Sequence, residues 1–227
     1  MRRFALVLLG LFCAASAHAE LITFEYTGTI NTLRESNLAV TVSHSVVSSK
    51  MVAGGVRVGD DFHGAFVIDT SIPLDSGTPG VARYMPSPNS PAAPASYMTF
   101  DKTGTSVSSL FGAPSINVFH AAGSSDSIFI APQSLGISSI FFWFNNPGST
   151  ILSDLSIPSN FNLNAWFNAN AGLSVYDWAN DRSLNMSGML TSITKVSAVP
   201  EPESYAMLLA GLALVSGVAA RRKKQRG

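Results

Sequence analysis

Period-two alternation of apolar and polar side chains most constrains what this chain can become. In LITFEYTGTI, Ile22, Phe24, Tyr26 and Ile30 fall on one face of an extended segment and Thr23, Glu25, Thr27 and Thr29 on the other, the pattern of a half-buried strand. DFHGAFVIDT repeats it with Phe62, Phe66 and Ile68 on one side, while Gly64 between them leaves room for a bulge or a close backbone approach. Further strands are predicted at 96–100, 116–120, 127–131, 137–144, 173–178 and 188–196, separated by Gly, Pro, Asn and Ser clusters such as NNPGS, with SIPLDSG read as a turn. Helical signals are confined to NLAVTVSHSVVSSKM and FNLNAWFNANA, which offer short turns and are rich in poor helix formers. The prolines between 86 and 94 predict a long surface loop. Short antiparallel strands without an internal repeat predict an all-β body, a sandwich or jelly roll.

The N-terminus sets the compartment. Arg2 and Arg3 precede the apolar run FALVLLGLFCAA, and Ala17-His18-Ala19 supplies a small-x-small cleavage signature before Glu20. This is the pattern of a secretory signal peptide over residues 1–19, with cleavage after Ala19. Cys13 follows Phe12, where a lipid-attachment site requires a small residue. Removing the signal removes the sole cysteine, so the body, residues 20–198, must be stabilised by packing without disulfides. Between Glu20 and Val199 the chain has seven basic and twelve acidic residues, a net charge of −5. That balance argues against a nucleic-acid partner, which needs a basic face.

The C-terminal segment, 199–227, has three parts. Val199-Pro200-Glu201-Pro202 is held extended by its prolines. Tyr205 to Ala220 is free of charge for 16 residues, which as a helix covers about 24 Å against a hydrocarbon core of about 30 Å. Arg221, Arg222, Lys223 and Lys224 follow as a cytoplasmic anchor that holds this end inside. The three parts in this order resemble the PEP-CTERM sorting signal. The resemblance implies export in a Gram-negative bacterium that makes exopolysaccharide, transient anchoring by a C-terminal transmembrane helix on the periplasmic side of the inner membrane, and processing by an exosortase at Pro200, Glu201 and Pro202. The product then reaches the cell surface or the extracellular space. A similar tail occurs on proteins described as ice-binding. Gly59, Asp60, Phe62, Gly64, Phe66 and Asp69 also resemble a pattern found in ectodomains that carry this tail.

The body has few marks of chemistry. His44, His63 and His120 lack zinc-site spacing, and no nucleophile elbow, phosphate loop or dinucleotide fingerprint is present. No metal, cofactor or catalytic residue is therefore expected. Asp60, Asp61 and Asp75 read as solvated turn residues before they read as calcium ligands. In Phe141-Phe142-Trp143-Phe144 both faces of the strand are apolar, which predicts a central strand covered on both sides. The competing reading leaves one face open to stack sugar rings, with Trp143, Trp166 and Trp178 as candidates. The expectation is a non-enzymatic matrix protein associated with exopolysaccharide. The alternative is a small polysaccharide-active enzyme using two of Asp60, Asp61, Asp69, Asp75, Asp154, Asp177 and Asp181. Ice binding is a third reading, hinted at by the Thr23, Thr27, Thr29 face.

Overall fold

A computed structural model describes residues 21–70, 72–86, 96–109, 114–121, 124–131, 137–148 and 151–196. Cleavage residues Ala17, Ala19 and Glu20, the proline-rich 87–95 stretch, Val199 to Pro202, the apolar segment after it and the basic residues Arg221 to Lys224 lie outside these. The chain divides into two compact units, Met1–Val196 and Ser197–Gly227, and the first is described here.

Its described residues form fourteen strands and two single 3₁₀ turns. The strands are β1 (Leu21–Asn37), β2 (Val42–Val46), β3 (Ser48–Ser49), β4 (Val56–Arg57), β5 (Asp61–Asp69), β6 (Leu74–Thr78) and β7 (Val81–Tyr84). They continue with β8 (Tyr97–Phe100), β9 (Thr105–Ser108), β10 (Ser115–Ala121), β11 (Ser125–Ala131), β12 (Ser138–Asn146), β13 (Asn168–Asp177) and β14 (Arg182–Val196). The body is thus all-β, as the alternation predicts. Twelve strands form one continuous antiparallel sheet in the order β6-β7-β10-β11-β12-β13-β14-β1-β5-β8-β9, with β2 also on β1; β3 and β4 pair separately.

This sheet encloses its own core. Phe66 of β5 lies 4.2 Å, centroid to centroid, from Phe142 of β12, although the two strands are four positions apart in the sheet. Laid flat, they would be about 19 Å apart. The ribbon therefore curls back so that one surface supplies both walls of the core, the part that two separate sheets have in a sandwich. At the sheet's end the Ser138 hydroxyl of β12 donates to the Ser108 carbonyl of β9 at 2.8 Å. The enclosed aromatic cluster joins Phe24, Tyr26, Phe66, Phe142, Phe144 and Phe161.

Two irregularities keep the apolar side inward. In β1 the register shifts between Ile30 and Thr32, so Asn31 is an extra residue and the buried positions run Ile30 then Leu33. A second shift lies at Thr27/Gly28, where Thr191 of β14 is the residue bulged out of the ladder. Gly64 makes the close approach that its place in the sequence suggested. A Cβ there would sit 2.0 Å from the Tyr97 carbonyl oxygen and 2.6 Å from the Tyr26 hydroxyl. The Tyr26 ring crosses that bare backbone, and its hydroxyl donates to the Tyr97 carbonyl at 2.8 Å. Burial raises the Tyr26 phenol far above its ordinary ionisation range, so it remains a donor.

Two expectations need correction. Residues 42–49 are strands β2 and β3, not helical turns, because the long extension of β1 offers β2 a ladder from Leu33↔Val46 to Asn37↔Val42. Residues 74–78, within and just after the segment read as a turn, form β6 on β7. FNLNAWFNANA contains one 3₁₀ turn, Leu163–Ala165, before it becomes β13.

Candidate functional site

β12 is central in the sheet but covered on one side. Phe142 and Phe144 point inward and are buried, whereas Trp143 is 51% exposed, so the expectation of cover on both faces fails. The pairings place Trp143 in a row that can be followed across the outer surface. Asn117 of β10 faces Phe129 of β11, Phe129 faces Trp143, Trp143 faces Asn170 of β13, and Asn170 faces Met189 of β14. In the next row Asn145 faces Asn168. On the other side, Phe141 lies directly across from Gly172. The Phe141 ring fills the space over that glycine, where an added Cβ would come within 2.1 Å of it. Phe129 and Phe141 are 6.1 Å apart, and Phe129, Trp143 and Met189 are all exposed.

The result is an apolar floor of Phe129, Phe141 and Trp143 with Asn117, Asn145, Asn168 and Asn170 along it and Met189 beyond Asn170. Aromatic faces stack on apolar faces of rings, and amides both donate and accept. This combination suits sugar rings, which present C–H faces and hydroxyl edges. A contiguous exposed apolar patch rimmed by polar groups marks a contact surface.

The three tryptophans proposed for such a surface do not gather on it. Trp166 is 8% exposed and packs inside against Phe144 at 5.7 Å, so it has no part in an open face. Trp178 is exposed but stacks on Tyr176, with ring planes 7° apart and centroids 5.1 Å apart. Tyr176 is six residues along β13 from Asn170, the partner of Trp143, which puts it about 20 Å away. Sequence reasoning found Trp143 but not Phe129, Met189 or the asparagines. The alternation in SIFIA already set Phe129 opposite Ile128 and Ile130; its neighbours depend on register across strands, which spacing along one strand does not give.

Three carboxylates are held below their ordinary ionisation range. Glu35 is held below its ordinary ionisation range by the Ser49 hydroxyl at 2.6 Å, against some burial, with help from Arg182 at 2.6 Å. Asp154 is held low by the hydroxyl and backbone N–H of Ser156. Asp126 is also low: burial pushes it up, but the Leu152 N–H, His120 and the Ile151 N–H together outweigh burial. Among the described residues no group of three His, Cys, Asp or Glu side chains could hold a metal ion. Nor is any described helix long and apolar enough to cross a membrane. On the threonine face, Thr27 bonds Thr191 and Ser192, Thr29 bonds Asp61, and Glu25 interrupts the row. The hydroxyls of Thr27 and Thr29 are thus engaged within the protein.

A family model, the PEP-CTERM protein-sorting motif, matches residues 198–223. The chain carries a PEP-CTERM sorting motif. The match contains Val199, Pro200, Glu201 and Pro202 and, of the basic residues, Arg221, Arg222 and Lys223. The PEP-CTERM motif supports sorting by an exosortase to the cell surface. No curated protein matches the chain, and no solved structure matches it.

Proposed function

We propose that this is an exported surface protein whose β body holds extracellular polysaccharide on the Phe129–Trp143 face and does not cleave it. The exposed aromatic row carries the reading: it lies on central strands, leaves Phe129 and Trp143 open to solvent and has asparagines beside it. The PEP-CTERM motif supplies the address. In this reading residues 1–19 are removed after Ala19, residues 20–198 form the exported domain, and the tail retains the protein at the inner membrane, on its periplasmic side, until an exosortase acts near Pro200-Glu201-Pro202.

Trp143→Ala combined with Phe129→Ala should weaken binding to purified exopolysaccharide by at least about tenfold, equivalent to roughly 1.4 kcal/mol. Because Phe129 and Trp143 are partly exposed cross-strand partners, the melting temperature of the double variant is measured alongside, and only affinity lost by a folded variant supports the face. Affinity that survives both truncations removes the face from the account.

The address is tested separately by mass spectrometry of protein recovered from its host. The unaltered chain should yield a C-terminus near residue 200. With Pro200, Glu201 and Pro202 all changed to alanine, the product should keep its sequence through Gly227 and remain with the membrane fraction. An unaltered chain that also keeps Gly227 would identify a plain anchor.

A further inference from the structure

A second surface, built from other residues, has the opposite chemistry. The body has seven basic residues from Glu20 to Val199. Four of them, Lys50, Arg57, Lys102 and Arg182, line a single cleft of about 790 Å³, together with Glu35 and Asp60 as its acidic members. A body of net charge −5 thus concentrates a local +2. The cleft is bounded by the later part of β1, the start of β14, the β3–β4 pair and the β8–β9 turn.

Its acids are already committed. Glu35 places one carboxylate oxygen on the Ser49 hydroxyl and the other on Arg182, both at 2.6 Å, which orients the guanidinium without removing it from solvent, since its side chain stays 48% exposed. Asp60 accepts the Arg57 backbone N–H at 2.8 Å and meets Lys102 at 3.8 Å. Lys50 and the Arg57 guanidinium are in no ion pair among the described residues, and both residues are exposed. Like charges converge in a concave wall only at a cost unless an anion joins them, and such a wall focuses a positive potential on its mouth. Ser48, Ser49 and Thr103 add hydroxyls to the lining, and aromatic side chains are absent from it. The volume exceeds what one small ion needs and falls in the range of ligand sites, on the order of 300–1,000 Å³.

We propose that this cleft binds an acidic oligosaccharide, with Lys50 and Arg57 meeting carboxylates of successive sugars and Arg182, held by Glu35, as the preset third cation. The site shares no residue with the Phe129–Trp143 face, so either can fail alone. Calorimetric titration of the full chain in detergent with tetragalacturonate is the test, with maltotetraose and inorganic phosphate as control ligands. Tetragalacturonate should bind, maltotetraose should not compete for the cleft, and phosphate alone should bind at least tenfold more weakly. Raising the salt from 50 to 200 mM should weaken the acidic ligand several-fold, as screening requires. Lys50→Ala with Arg57→Ala should cost at least tenfold, while Trp143→Ala leaves this titration unchanged. Equal affinity for the double variant or for phosphate, maltotetraose binding that Lys50→Ala with Arg57→Ala weakens, or no binding of tetragalacturonate overturns the proposal. Because both substituted residues are at the surface, an unchanged melting temperature separates lost binding from lost fold, and Arg57→Glu, which should abolish binding, gives a second check.

Discussion

Gly64→Ala is expected to be among the most destabilising single-methyl changes in the body, by about 2–4 kcal/mol. The added carbon would lie 2.0 Å from the Tyr97 carbonyl oxygen and 2.6 Å from the Tyr26 hydroxyl. The first obstacle is backbone, fixed by the β5–β8 ladder in which Gly64 faces Met98 and Ala65 faces Tyr97. Overpacking of this kind costs about 1–3 kcal/mol, occasionally more. Displacing Tyr26 also forfeits its buried hydrogen bond, roughly 1 kcal/mol. For a body of this size the melting temperature should fall by about 10 °C. A cycle with Tyr26→Phe should show the two positions strongly coupled. A Gly64→Ala variant that melts within 2 °C of the original would mean that the sheet opens there at little cost, contrary to the packing described above.

Asp126→Ala should cost about as much, for an electrostatic reason. The carboxylate is fully buried and accepts three hydrogen bonds: from His120 Nδ1 at 2.7 Å, from the Ile151 N–H at 2.8 Å and from the Leu152 N–H at 3.0 Å. It thereby ties the segment after β12 to the β10–β11 hairpin, where His120 and Asp126 face each other. Truncation leaves two part-buried backbone donors and the quarter-exposed His120 imidazole without their acceptor, a loss of about 3–5 kcal/mol. The pH dependence has a definite sign. Folding lowers the Asp126 ionisation below its ordinary value, so the unfolded chain takes up the proton first as the solution is acidified. Its stabilisation is complete above the unfolded value of about 3.9 and is lost as pH falls through the lower folded value. Melting temperatures between about pH 5 and 2.5 should therefore fall more steeply for the unaltered chain than for Asp126→Asn. Parallel profiles would assign the acid response to other carboxylates.

These two sites show what a linear sequence does and does not disclose. Alternation placed Phe24, Tyr26, Phe62 and Phe66 inside because the period of a strand is local. It also marked Gly64 as a bulge or a point of close approach, and the structure makes it the second. It could not say that Tyr26 would lie over Gly64, because that depends on the β1–β5 register. β6 was invisible: LDSGT is exposed throughout, and only its ladder with β7 makes it a strand. In Phe141-Phe142-Trp143-Phe144 the alternation was legible but the number of covered faces was not, because cover depends on how far the sheet curls. The cationic cleft was hidden for the same reason, its residues being drawn from positions 35 to 182. The sorting motif, by contrast, was fully legible, because its recognition resides in a contiguous peptide.

The seam between β1 and β14 has a consequence for timing. The first strand has its longest ladder with the last, running from Thr23↔Val196 to Asn37↔Arg182. Synthesis proceeds from the amino end, so β1 must wait for nearly the whole body before its main neighbour exists, and such distant pairings are slow to form. The sheet can close only once its last strand has been made and delivered to the place where the first one waits.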